Sequence, residues 1–314
     1  MHLHIISSSD PTEFKTSHIA SYRLRLSYVY EAAIQLGYKV TGNQNITNNA
    51  NIYYISKVTK DMKKNISTII QELKIRKSRI LLDYTDDILS SKFDEDRKEI
   101  YQRLIKIDPI LVVPVEGLGE KLKKIGKKVY VIPDGIDTIS NIDPFHKRNL
   151  EKNILWHGHS SNINSLIRII SKELLEFKYN LHIVSNHVTF DILKQTRFLK
   201  TPKCKLIAHL WSPKQLEAVS KVCDFSILPT GKKWASANRL ITNFVLGLPT
   251  IAETISSYKQ FSNYYCDFEN NNLIQMFDSP EKWHTKVRIA QKQIRNDFDH
   301  RSLINLWKKI LKQN

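Results

Sequence analysis

The sequence predicts an α/β protein built from two doubly wound parallel sheets. Three observations carry that prediction. Short apolar runs alternate with segments of helical periodicity along most of the chain. The alternation breaks once, near the middle, and then restarts. The chain has 314 residues, 41% of them hydrophobic, which is long for one core and sufficient for two.

The elements follow in order. His2–Ile6 is an apolar strand that runs into the turn-rich Ser7, Ser8, Ser9, Asp10 and Pro11. A helix carries Tyr22, Leu26, Val29, Tyr30, Ala33 and Leu36 at helical spacing and ends at Gly37. Residues 38–41 and 52–55 read as strands, joined by the Asn-rich stretch 43–51. A helix over 66–73 leads to a strand at 79–82 and then to the acidic loop Asp83, Tyr84, Thr85, Asp86 and Asp87. A charged helix at 92–106, a buried strand at 109–114, a short helix at 118–125 and a strand at 129–132 complete the first run.

Residues 134–152 hold Pro144, several Asn and Asp, and the basic patch His146, Lys147 and Arg148; this is the composition of a linker. The alternation resumes with a strand at 153–156 and an exit loop of His157, Gly158, His159 and Ser160. A helix at 163–177, strands at 181–184 and 204–208 and a helix at 213–222 come next. Phe225–Leu228 is a buried strand ended by Pro229 and Gly231. A polar loop then leads to a helix closed by Gly247 and Pro249, and to the strand Thr250–Ala252. The tail, 280–312, is amphipathic helix with Trp283, Val287, Ile294, Leu303, Leu306, Trp307 and Ile310 on its apolar side. The predicted domains are 1–140 and 141–298, with a helix at 299–314 packing back on the first.

The net charge is +17. A Lys-, Ile- and Asn-rich composition accounts for part of it as solvated surface. A basic face that meets nucleic acid, a phosphorylated substrate or an acidic membrane accounts for the rest. Cys204, Cys223 and Cys266 lie at neither metal nor redox spacing, which suits a reducing compartment. The first apolar run is too short for a signal peptide, and no window approaches the roughly 18 apolar residues of a membrane span. The expectation is a soluble cytoplasmic chain, peripheral at the inner face of the membrane.

Several short segments resemble the nucleotide-sugar glycosyltransferases of the GT-B fold. Val129 to Asp137, VYVIPDGID, is similar to the segment that closes their first domain. Ile154 to Gly158, ILWHG, is similar to the first strand and glycine turn of their second domain. Ser236 to Leu240, SANRL, followed by Gly247-Leu248-Pro249, is similar to their donor-site helix. The resemblance implies two Rossmann-like domains facing a cleft, the second binding the donor and the first the acceptor. It implies transfer of a sugar from an activated nucleotide to a glycan or lipid-linked acceptor, as in assembly of bacterial surface polysaccharide, at an anionic membrane. It implies neither a cofactor beyond the sugar nucleotide, nor a metal, nor a nucleic-acid partner. Where many retaining members carry glutamates flanking that helix, Trp234 and Thr242 stand here. A nucleotide-sugar epimerase of the same shape and a non-catalytic basic module that binds nucleic acid are the alternatives.

Breaking a glycosyl–phosphate bond needs cations and oriented amides around the leaving diphosphate. Lys232, Lys233 and Arg239 are the candidate cations, with Arg favoured because its fork matches phosphate oxygens. Asn238 and Ser236 either bind the ligand or cap the helix. His157, Gly158, His159, Ser160 and Asn162 form a strand-to-helix turn suited to the donor. Asp86 and Asp87 are candidates for general base, with acceptor binding and helix capping as alternatives; Asp10 is a second candidate base. Arg23, Arg25, Lys57 and Asp83 are the candidate acceptor-binding residues. Each charged position could equally be solvated surface.

Overall fold

In the computed structural model, residues 1–7, 9–17, 19–44, 46, 49–56, 58–90, 94–137, 142–144, 151–195, 203–231, 233–268 and 272–313 are described. They fall into two compact units, Met1–Gly135 with Phe298–Asn314, and Ile136–Asp297. Lys57, Lys232 and the basic patch His146, Lys147 and Arg148 lie outside the described residues.

The first unit holds a six-stranded sheet, all parallel, in the order β2-β1-β3-β4-β5-β6. Its strands are β1 (His2–Ile6), β2 (Lys39–Asn43), β3 (Ile52–Ile55), β4 (Arg79–Asp83), β5 (Ile110–Val113) and β6 (Val129–Val131). Helices α1 (Ser27–Gln35), α2 (Ile66–Arg76), α3 (Glu95–Ile105) and α4 (Glu116–Lys123) are the crossovers. The central strand β3 is buried along its whole length, which is why Ile-Tyr-Tyr-Ile reads as a continuous apolar run rather than an alternating one.

The second unit repeats the plan with the order β12-β11-β10-β7-β8-β9, again all parallel. Its strands are β7 (Lys152–His157), β8 (Tyr179–Ser185), β9 (Cys204–Leu210), β10 (Phe225–Leu228), β11 (Thr250–Ala252) and β12 (Cys266–Asp267). Its helices are α5 (Ile163–Lys172), α6 (His187–Gln195), α7 (Pro213–Ser220), α8 (Asn238–Val245), α9 (Asn272–Asp278) and α10 (His284–Asp297). Helix α5 buries Ile163, Leu166, Ile169 and Ile170, the spacing of one helical face, into a core with Trp156, Leu181 and Phe225. The three cysteines are free and buried.

The tail is two helices. Helix α10 ends at Asp297, and the last helix, α11 (His300–Lys312), starts afresh with Asp299 as its N-cap, accepting from the amides of Arg301 and Ser302. Its Leu303, Ile304, Trp307 and Leu311 complete the core of the first unit with Leu3, Ile5, Tyr54 and Val112. Helix α6, strand β12 and helix α9 were not legible as periodic segments. Helix α5 stops at Lys172 instead of running to Phe177, whose ring stacks on Phe277 at 4.0 Å between centroids. Among the described residues no helix is long and apolar enough to cross a membrane.

Candidate functional site

Parallel sheets present ligands to the loops at the carboxyl ends of their strands. In the first unit that edge holds a buried ion network. The Arg25 guanidinium meets the Asp83 carboxylate at 2.7 Å, donates to the Ile132 carbonyl at 2.9 Å and pairs with Asp134 at 2.8 Å. Ser56 Oγ donates to Asp83 at 3.2 Å, and Tyr101 donates to the Asp83 carbonyl at 3.1 Å. Arg25 lies over the Trp307 ring, 5.6 Å from its centroid. Burial pushes the Asp83 carboxyl above its usual range, and the charge and hydrogen bonds of Arg25 offset part of that. Arg25 itself stays charged, because two carboxylates overcome the cost of its burial.

Arg25 and Asp83, the residues expected to bind acceptor, are both buried and paired with each other, and what they fix is the path of the chain through Ile132, Pro133 and Asp134. The neighbouring Gly135 donates its amide to the Leu24 carbonyl at 2.8 Å, and a Cβ there would sit 2.3 Å from the Tyr28 ring, so no larger residue fits.

The other acidic candidates lie nearer the surface. Asp87 pairs with Lys121 at 2.6 Å, and the Asp86 carbonyl accepts the Ile88 amide. Asp10 is exposed and caps the 3-10 helix Pro11–Thr16. Hydrogen bonds from the side chain and amide of Thr12 hold its carboxyl below the usual range. Arg23 is half-buried and donates to the Ser17 carbonyl at 2.6 Å.

In the second unit the carboxyl ends of β7, β10 and β11 lie side by side. His157 is the last residue of β7, not part of the exit loop as the sequence suggested, and is 6% exposed. Its Nε2 donates to Asn243 Oδ1 on α8 at 2.9 Å. Burial, reinforced by the nearby charge of Arg239, lowers its pKa to about 4, so the ring is neutral at physiological pH. Gly158 follows. A Cβ built on it would lie 3.0 Å from the Trp156 ring and 3.2 Å from Arg239 Nη1. His159 is exposed and caps the 3-10 turn Ser160–Asn162 through its ring, while Asn162, the N-cap of α5, makes no side-chain cap hydrogen bond. Ser160 accepts from Asn186 at 3.4 Å, and the Asn162 amide returns to the His159 carbonyl at 2.9 Å.

Arg239 lies in the first turn of α8. Its Nη1 has no solvent access and no hydrogen-bond partner, and no carboxylate pairs with it among the described residues. Burial pushes its pKa down from the usual guanidinium value. Ser236 Oγ accepts the Asn238 amide at 3.3 Å, and Asn238 Oδ1 accepts the Arg239 amide at 2.7 Å, so each side chain satisfies an amide of the helix's first turn. Lys233 is exposed, with its Nζ 4.8 Å from the Trp234 ring centroid. Thr242 donates its hydroxyl back to the Asn238 carbonyl at 2.8 Å.

Sequence reasoning missed Glu253. It directly follows β11, and its Oε2 accepts the amides of Thr230 at 2.7 Å and Gly231 at 2.8 Å, while its other oxygen pairs with Arg168 of α5. Burial opposes ionisation of Glu253, but those two amides and Arg168 outweigh it and lower the pKa. A carboxylate placed at a strand's carboxyl edge was the signal available. The structure thus gathers Gly158, Arg239 and the loop after β10 at one edge of the second unit, and leaves Asp10, Asp86, Asp87 and Arg23 in the first.

No protein-family model matches the sequence. No curated protein matches it either. Solved structures do match. The chain is similar to HepE of Anabaena in complex with UDP, at 12% identity and a TM-score of 0.67 over 99% of each chain. It is similar to sucrose-phosphate synthase from Thermosynechococcus elongatus, at 11% identity and a TM-score of 0.69, covering 100% of this chain and 98% of that one. It also matches TarM at 13% identity and a TM-score of 0.57, and there 83% of this chain spans only 55% of the neighbour. Identities this low speak to architecture alone. The chain has the GT-B fold, with two Rossmann-like α/β units.

Proposed function

We propose that this chain is a glycosyltransferase that moves a sugar from a nucleotide-activated donor to a glycan or lipid-linked acceptor, in assembly of a bacterial surface polysaccharide. In this reading the second unit holds the donor and the first the acceptor. The observation that carries it is Arg239: a half-buried cation whose Nη1 is sealed from solvent and which pairs with no carboxylate among the described residues, against a glycine at the carboxyl edge of a parallel sheet. Burying an unpaired charge is costly, and a leaving diphosphate supplies the missing anion. Arg239 and Lys233 then neutralise charge that grows as the glycosidic bond breaks. UDP-sugars are the first donors to test, because HepE has been crystallised with UDP and with UDP-glucose. A polysaccharide role draws support from a further neighbour, WaaB, a lipopolysaccharide outer core galactosyltransferase.

For the acceptor, Asp86 and Asp87 are the proposed bases. Asp10 is the weaker one, since its lowered pKa reduces its pull on a proton. Arg23 is the proposed acceptor contact. Membrane association draws support from the amino edge of the first sheet. There Ile75, 66% exposed, and Ile125, 58% exposed, stand among Lys74, Lys77, Lys123 and Lys124 at the ends of α2 and α4.

The test is a thermal-shift screen with UDP-, GDP-, CMP-, dTDP- and ADP-sugars on the wild type and on Arg239→Ala. A ligand at 100 times its dissociation constant stabilises the native state by about 2.7 kcal/mol. A shift with one nucleotide that disappears in the variant supports the reading. No shift with any of them, together with tight, salt-sensitive binding of nucleic acid, overturns it.

A further inference from the structure

The donor edge holds polar groups that the reading above does not use. Tyr258 sits on the 3-10 helix Ser256–Phe261 that follows β11; it is fully buried, and its hydroxyl has no hydrogen-bond partner. Thr230, two residues beyond β10, is 2% exposed, and its hydroxyl is likewise unpartnered. Hydrogen bonds tie the Tyr258 helix to the loop before α8, and Thr230 to the residue after β11. Ser257 Oγ donates to the Ala235 carbonyl at 2.6 Å and Ser256 Oγ to the Lys233 carbonyl at 3.4 Å, which ties the Tyr258 helix to the loop leading into Arg239. The Thr230 amide is held by Glu253, at the start of the segment that carries Tyr258.

Buried hydroxyls are almost always hydrogen-bonded, because leaving one unpaired forfeits its hydration with no return. Here the unpaired Tyr258 hydroxyl lies within electrostatic reach of Arg239, whose Nη1 is also unpaired, and Thr230 adds a third unpaired donor on the loop after β10. A group that accepts from all of them is an anion with several oxygens.

We propose that Tyr258, with Thr230 on the loop after β10 as a second donor, is a specificity-determining donor for a phosphate group: its hydroxyl donates to an oxygen of a diphosphate whose charge Arg239 neutralises. This rests on the reading that the second unit takes a nucleoside diphosphate, and adds two residues to it. Tyrosine suits the task chemically. Burial pushes its pKa up to about 12, against the pull of the Arg239 charge, so it remains a neutral donor over the whole physiological range. A phenol bonded to phosphate makes a charge-assisted hydrogen bond without adding a second buried charge.

The test is Tyr258→Phe, which removes one oxygen and keeps the ring, with Thr230→Val as a second, equally conservative variant. Inorganic pyrophosphate and UDP are the probes, read by calorimetry, and the ligand-free melting temperature of each variant is measured alongside. The expected result is about tenfold weaker binding of both probes to Tyr258→Phe, with ligand-free stability unchanged or raised, since an unpaired hydroxyl has been removed. A purely structural hydroxyl gives the reverse: lower stability, or loss of folded protein, with affinity intact. That reverse result, or equal affinity with equal stability, overturns the proposal. Binding of pyrophosphate but of no nucleotide, weakened in the variant, keeps the anion pocket and removes the transferase reading. Binding of neither probe to the wild type removes both.

Discussion

Gly158 and Arg239 share one small space: a single methyl on Gly158 would reach to 3.2 Å from the Arg239 guanidinium. The glycine is required by that cation, with the Trp156 ring closing the other side at 3.0 Å. Gly158→Ala should therefore push Arg239 aside by a few tenths of an ångström. The expected outcome is a stability loss of about 1–3 kcal/mol, the usual cost of overpacking, and nucleotide binding weakened more than in a distant surface variant. Denaturant titration and calorimetry on the same preparation check both parts.

Arg25 and Asp83 form a buried ion pair whose loss should be felt throughout the first unit. Removing one partner leaves the other charge buried and unpaired, which costs about 3–5 kcal/mol. Arg25→Met and Asp83→Leu should each fall in that range, and the double variant should recover part of the loss. Urea unfolding of the four proteins checks this; single variants as stable as the wild type would show that the pair is not closed in solution.

His157 couples stability to pH. Its folded pKa of about 4 lies below the value of 6.5 expected when unfolded, so the unfolded state binds the proton first. Stability attributable to His157 is therefore complete above pH 6.5 and falls as pH drops toward 4, by about 1.4 kcal/mol per unit. His182, also lowered to about 4 by burial and by its stacked neighbour His209, acts in the same direction. Unfolding free energies measured between pH 7 and 4.5 should fall less steeply in His157→Gln than in the wild type.

Asp299 is the N-cap that starts α11, and it accepts two main-chain amides. Asp299→Ala should cost about 1 kcal/mol. Trp307→Ala, which empties a site in the core of the first unit, should cost about 3–5 kcal/mol. Thermal melts of both variants give the ordering, and an Asp299 variant that loses more than the Trp307 one would contradict it.

The repeated alternation of apolar runs and helical segments was enough to determine the α/β class and the existence of two parallel sheets. A buried parallel strand must be apolar on both faces, and β3 and β10 carry that requirement openly. Local chemistry also located the loops at strand ends, and so Arg239, Gly158 and the acidic loop. Helix α6 and strand β12 escaped, because short elements held by tertiary packing carry little periodicity of their own.

Only the tertiary structure decided which charged residues meet a partner of opposite charge. Arg25 and Arg239 look alike in the sequence, each in a helical segment near a strand end. One meets two carboxylates carried by the chain 58 and 109 residues away, and the other meets none among the described residues. Glu253 holds the Thr230 and Gly231 amides, and Tyr258 comes within reach of Arg239, through contacts that no local pattern specifies. Charge pairing and burial depend on groups distant in the chain, so the fold had to bring them together before the two arginines could be told apart.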